Sequence, residues 1–336
     1  MSPTPPRRRI GVFVLPSARG DASVLTRRIV QAARDVENVG FDAFWLAEGH
    51  FGTIGVSSAL TVLAGAAAAT ERIDLGTAVV PIAFDSPLRL AEVAASVHAL
   101  SGGRLQLGVG KGNGHGFSSQ AYRAFGLDET GREELYWGAL ADLRTLLTSG
   151  ARVDGERVAL YPPPADLATR LWQATSGEAT AVAAARSGDG LQLHRVVRAG
   201  DTGTVQRALV DAYVTAYPAT AATAPRIAVS RAVFVAASRG DALERIGAIL
   251  RDDPGALPLG QSGQTALDYV CLSNTHVGSP AEIAASLGED PTVRAATDLL
   301  LAPVLPLADA GFADQLVGIA EASDHGLRAP ALASTL

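Results

Sequence analysis

The feature that most restricts this chain is an alternation of short apolar runs with longer segments of helical periodicity. Ile10–Leu15 is apolar and bounded by arginine and proline, as a buried strand is. From Ser23 to Val39 the residues Val24, Leu25, Ile29, Ala32, Ala33, Val36 and Val39 recur at helical spacing, and Gly40 follows as a stop. Phe41–Leu46, Ile73–Val80 and Arg104–Val109 predict the next three strands. Ala59–Thr70 and Leu88–Leu100 predict the helices between them, the second opened by Ser86-Pro87. The second half continues with strands at Leu171–Thr175, Gly190–Val197, Ile227–Ala236 and Asp298–Leu301. Its helices are predicted at Glu133–Leu147, Glu178–Arg186, Val205–Tyr217, Asp241–Leu250, Pro280–Leu287 and Ala313–Ala322.

Such alternation implies a parallel sheet with right-handed crossovers. An open doubly wound sheet and a closed barrel both satisfy it. Eight strands in 336 residues favour a (β/α)8 TIM barrel, read as a single domain over residues 1–336. The Pro/Gly-rich stretch Asp252–Gln264 is expected as an insertion after the seventh strand, spanning about residues 252–275, and as a candidate lid. Hydrophobic residues, at 48%, suffice for such a core.

The net charge is −6, with no basic block beyond Arg7–Arg9, so nucleic acid is not the expected partner. The lone Cys271 excludes an intrachain disulfide and suggests a reducing, cytoplasmic setting. No apolar run reaches the roughly 18 residues of a membrane span. Arg7–Arg9 before Ile10–Leu15 resembles an export signal only faintly, because the apolar run stops at Pro16.

In a barrel, functional residues cluster at the carboxyl ends of the strands. There the sequence carries Glu48-Gly49-His50 after strand two and Thr77-Ala78-Val79 after strand three. Lys111 lies in a glycine-rich stretch after strand four, and Ser176-Gly177 opens a helix after strand five. His50 is either a packed, hydrogen-bonded histidine or a cavity group. Lys111 is the only lysine among 28 basic residues, and it suits either a solvated loop or a phosphate. Exposed N–H groups at a helix start bind anions, and Thr180 can add a hydroxyl. His115 and His194 fall at strand ends, whereas His98 and His276 are expected in surface or packing roles. Scattered histidines and one cysteine give no metal-ligand spacing. Trp45, Trp137 and Trp172 are expected in the core.

FDAFWLAEGHFG and ERIDLGTAVVPIAFDSPLRLAEVAASVHALSGGRLQLGVGKGN resemble the amino-terminal half of the luciferase-like flavin monooxygenases. LWQATSGEATAVAAARSGDGLQL and VGSPAEIAASL resemble its second half, so the likeness runs over residues 10–325. It implies a barrel enzyme in which reduced FMN from a separate flavin reductase, with O2, oxygenates a small organic substrate. By the same resemblance His50 and Glu48 are catalytic candidates, and Gly49 stands where luciferases carry a histidine base. Ala78-Val79 is implied as a non-proline cis peptide under the flavin ring. Lys111, Arg132, Ser176, Gly177 and Thr180 are implied around the FMN phosphate, with His194 at the cofactor. A homodimer through Ala59–Thr70 and Leu88–Leu100 is implied too. Two alternatives stay open: a deazaflavin (F420)-dependent oxidoreductase, and a flavin-binding protein without turnover.

Overall fold

The computed structural model describes residues 7–52, 54–112, 117–197, 200–220 and 223–330. Eight parallel strands close into a barrel: Arg9–Val14, Ala43–Leu46, Asp74–Thr77, Leu105–Gly110, Leu171–Thr175, Gly190–Leu193, Ile227–Val235 and Asp298–Pro303. Each is hydrogen-bonded to the next. The eighth returns to the first through pairs from Arg9↔Asp298 to Val12↔Leu301. Closure leaves no open edge around the ring, and helices cover its outer face.

The helices form where the periodicity placed them, and local chemistry sets their ends. Asp21 caps Ala22–Val39 by accepting from the Ser23 and Val24 amides, and Gly40 ends that helix at φ 98°. Ser279 and Glu282 make a reciprocal capping box that starts Pro280–Glu289. The apolar stripe Ile29, Ala32, Ala33 and Val36 of the first helix is buried on the barrel.

Residues pointing inward fill the barrel. Trp45 and Trp172 meet edge to face, their centroids 5.5 Å apart, among Ala43, Ala228 and Leu300. Gly76 and Gly190 make room for them: a Cβ on either would lie 2.2 Å from the facing indole. The Trp172 Nε1–H donates to Gln106 Oε1 (2.9 Å), Gln106 Nε2 donates to Asp74 Oδ2 (3.1 Å), and Asp74 pairs with Arg9 (2.5 Å). This polar chain seals the amino-terminal end of the barrel. Above the tryptophans the inward positions shrink to Ala78, Gly110, Ala174, Ala232 and Ala302, so the carboxyl-terminal end opens into a mouth.

Several expectations need correction. The third strand stops at Thr77 and resumes only as Val80–Pro81, and the sixth stops at Leu193, not Val197. The insertion is not a bare loop. It holds a 3-10 turn at Pro254–Ala256, the helix Ala266–Ser273 and the strand Thr275–Gly278. Strand seven pairs with strand six over Ile227–Val229, then with this added strand over Ala232–Val235. The helix buries Tyr269 and Val270 in a second apolar cluster with Phe234, Ile246 and Val277. The helix Phe117–Ala124 and the hairpin Ala151–Val153/Glu156–Val158 were also not foreseen. Among the described residues no helix is long and apolar enough to cross a membrane.

Candidate active site

The loop after strand two places Glu48 and His50 at the mouth. Glu48 Oε2 accepts from the Ala59 amide (2.7 Å), the first residue of Ala59–Ala69, and its Oε1 lies 3.7 Å from His50 Nε2. A carboxylate tied to a helix start is fixed in place and can orient an imidazole. The His50 ring is packed edge-on against Phe84 (5.4 Å) and Phe125 (5.2 Å), and those two rings stack at 5.0 Å. His50 is therefore both packed and at the mouth. A Cβ on Gly49 would sit 2.8 Å from Ile54 Cδ1, so a side chain there requires Ile54 to shift. The third strand ends in the expected feature: the Ala78–Val79 peptide is cis.

The loop after strand four brings in Lys111. Its ammonium donates to Thr180 Oγ1 (3.0 Å), pairs with Glu133, and rests 5.4 Å and 5.3 Å from the Tyr136 and Trp137 rings. Tyr136 is anchored in turn: its hydroxyl donates to Gln173 Oε1 (3.0 Å), and Gln173 Nε2 donates to Asp189 Oδ2 (2.7 Å). Burial raises the Asp189 pKa, and the neighbouring Arg144 opposes that shift. Trp137 is thus only partly a core residue. Lys111 and Thr180 come together at the start of the helix Glu178–Arg186, whose opening residue Gly177 carries no side-chain cap. Ser176 and Gly177 are exposed there. Arg132 begins the helix Arg132–Ser149, close enough for its charge to act on Tyr122. Among the described residues Arg132 has no ion pair.

Tyr122 joins the two walls. Its ring meets Phe84 at 4.8 Å, and its hydroxyl donates to the Lys111 carbonyl (2.7 Å). On the opposite rim His194 follows strand six, exposed to solvent yet hemmed in by protein that lowers its pKa through desolvation. Its Nδ1 lies 3.0 Å from the Val196 carbonyl. His115 lies outside the described residues. His98 and His276 take packing roles, bonded to Asp166 (2.9 Å) and Ser286 (2.8 Å).

Sequence reasoning missed the aromatic cluster of Phe84, Tyr122 and Phe125, the carboxylate of Glu133 on Lys111, and two polar positions inside the barrel. Gln192 and Ser230 are each only 6% exposed, and Gln192 Oε1 and Ser230 Oγ have no partner. The signal was present: a polar residue at an inward position of an otherwise apolar strand.

Residues 9–289 match the family model for luciferase-like monooxygenases. The chain belongs to that family. Limonene 1,2-monooxygenase of Rhodococcus erythropolis is 33% identical over 105 residues, 30% of this chain and 27% of that protein. The chain thus aligns with less than a third of the length of that relative. The oxygenating constituent of 3,6-diketocamphane monooxygenase from Pseudomonas putida, solved with FMN, has a TM-score of 0.72 at 16% identity. That match covers 96% of this chain and 98% of the other. An F420-dependent secondary alcohol dehydrogenase, solved with an F420–acetone adduct, has a TM-score of 0.68 at 16% identity, covering 94% and 98%. At such identities the two structures share the barrel fold with this luciferase-like chain, and flavin and deazaflavin chemistry both occur on it.

Proposed function

We propose that this family member is an FMN-dependent monooxygenase that takes reduced FMN from a separate reductase and oxygenates a small organic substrate with O2. One observation carries the reading: Lys111 and Thr180 meet 3.0 Å apart at an uncapped helix start, with Arg132, unpaired among the described residues, opening the helix Arg132–Ser149. Two cations, a hydroxyl and the first-turn amides of the helix Glu178–Arg186 match a phosphate dianion in charge and in donors, while the Gly177 amide donates to Thr175 Oγ1 (2.9 Å) and would have to turn to the ligand. Gly177 would meet only Thr175 Oγ1, at 3.9 Å, if it bore a Cβ, so the helix start is open to a ligand.

The rest of the mouth fits a planar ring. Ala78, Gly110 and Ala174 keep one wall low, and a Cβ on Gly110 would come within 2.7 Å of Val79 Cγ2. Trp45 and Trp172 form the base, and Gln192 and Ser230 offer polar atoms to a ring edge. Bound reduced FMN supplies the reaction with O2. The residues have simpler tasks. Lys111, Arg132, Ser176, Gly177 and Thr180 hold the phosphate, and the Ala78–Val79 backbone supports the ring. Phe84, Tyr122 and Phe125 keep water from His50, which Glu48 orients to hold or move a proton at Nε2. With no side chain at Gly49, that role falls to His50.

Oxygen uptake and product formation test this reading. Enzyme, FMN, NADH and a flavin reductase should oxygenate at least one member of a panel of aldehydes, ketones, thioethers and carboxylates. Hydride transfer to or from F420, with no oxygen incorporated, would replace it with the deazaflavin reading. Assembly as a homodimer is part of the same proposal, since Leu88 (40% exposed) and Leu100 (54%) project from the helix Pro87–Leu100. A monomer by light scattering at micromolar concentration would remove it.

A further inference from the structure

We infer that the mouth holds a second anion-binding position, built on Arg195 and Tyr269, that takes the carboxylate of an apolar organic substrate. The inference rests on the monooxygenase reading for calling that ligand the substrate; the site itself stands on the burial and the missing partners of Arg195. Arg195 follows the mouth-lining His194 at the end of strand six and is 5% exposed. Among the described residues its guanidinium has no ion pair and no hydrogen bond. An arginine stays charged in proteins, and a buried charge without a partner is strongly unfavourable. The other deeply buried arginines have partners: Arg231 pairs with Asp290 (2.8 Å), and Arg8 donates to the Ala296 and Leu327 carbonyls (3.0 and 2.9 Å). The missing partner of Arg195 is an anion that the described residues do not supply.

The insertion completes the position. Asn274 Nδ2 donates to the Arg195 carbonyl (3.3 Å), docking the end of the helix Ala266–Ser273 on strand six. Tyr269 of that helix is fully buried, its hydroxyl has no partner among the described residues, and the nearby Arg195 charge opposes the burial that raises its pKa. Orphaned sealed nitrogens occur elsewhere, at Arg226 Nε and Arg231 Nη2, but none belongs to Arg195. Its charged head therefore keeps contact with open space. A planar guanidinium fork beside a phenolic O–H matches the two coplanar oxygens of a carboxylate. The phosphate corner is built on strands four and five, so the two anion positions use different elements. The half-exposed rings of Phe51 and Phe125 provide apolar contact for the body of such a substrate.

Full-length protein, with and without FMN, would be titrated with benzoate, phenylacetate and hexanoate, each beside its neutral amide. Tryptophan fluorescence and thermal shift are the readouts. At least one carboxylate should bind about tenfold or more tighter than its amide. R195M should abolish that preference, Y269F should reduce it, and Lys111→Ala should leave it intact. R195M should also raise the melting temperature, since it removes an unpaired buried charge. FMN affinity should change less than threefold in R195M. The inference is overturned if no carboxylate is preferred, if the preference survives R195M, or if R195M weakens FMN instead. Failure of FMN to bind while the carboxylate preference persists would sink the monooxygenase reading and leave this site standing.

Discussion

Replacing Gly190 with alanine probes the base of the mouth. A Cβ there would lie 2.2, 2.4 and 2.7 Å from three atoms of the Trp172 indole, far inside van der Waals contact. The ring cannot yield easily. It is 1% exposed, edge-on to Trp45 at 5.5 Å, bonded to Gln106 through Nε1 (2.9 Å), and has the Arg226 guanidinium 4.8 Å from its centroid. Overpacking of this kind costs about 1–3 kcal/mol. Breaking the indole hydrogen bond adds about 1 kcal/mol. Gly190→Ala should therefore destabilise by roughly 2–4 kcal/mol, read as a lower urea midpoint at unchanged slope. Gly138 is the control, because it sits within the helix Arg132–Ser149 with nothing within 4 Å of a Cβ. Gly138→Ala should stabilise by about 0.5–1 kcal/mol. Equal, small effects from both substitutions would refute a rigid tryptophan base.

Three further outcomes are expected. Glu133→Gln removes a carboxylate that competes for Lys111, so FMN should bind about two- to fivefold tighter at low salt, a gain that 0.5 M salt erases; calorimetric titration checks it. His276 has its pKa pushed down to about 4 by burial, with Arg231 adding to the shift. The unfolded chain then binds a proton that the folded one refuses, so this contribution is complete above about pH 6.5 and is lost as pH falls toward 4. Urea midpoints between pH 7 and 4.5 should drop by the equivalent of about 2–3 kcal/mol, and His276→Asn should flatten that slope. His50→Ala should lower product yield and also cost about 1–2 kcal/mol of stability, because it removes two edge-on aromatic contacts. Unchanged yield in the folded fraction would make His50 a packing residue only.

Much of the barrel was legible because its signal is local. Apolar runs, helical stripes and stop residues such as Gly40 each report on a few neighbouring positions, and their alternation fixes the order of strands. The cis peptide at Ala78–Val79 came from resemblance; nothing in the residues themselves demands it. The added strand Thr275–Gly278 was hidden because it exists only where strand six ends beside strand seven, a long-range event with no periodicity in four residues. The phosphate corner was half legible. Lys111 stood out as a lone lysine, and Ser176-Gly177 as a helix opening, but Glu133 lies 22 residues from Lys111 and reaches it only through the fold. Phe84, Tyr122 and Phe125 carry no such mark, since nothing in sequence distinguishes a ring facing a barrel mouth from one facing a helix. Arg195 was equally silent, because an unpaired buried cation is defined by the partners it lacks.

Affinity for FMN, set beside affinity for riboflavin, tests the central claim most directly. Wild-type protein and Lys111→Ala would be titrated with both ligands under identical salt. A charge-assisted contact contributes about 1.5–3 kcal/mol, so Lys111→Ala should weaken FMN by roughly ten- to a hundred-fold. Riboflavin carries the same ring without the phosphate and should change less than about threefold. Equal weakening of both ligands, or no weakening of either, would contradict an FMN phosphate held at Lys111, Thr180 and the helix start.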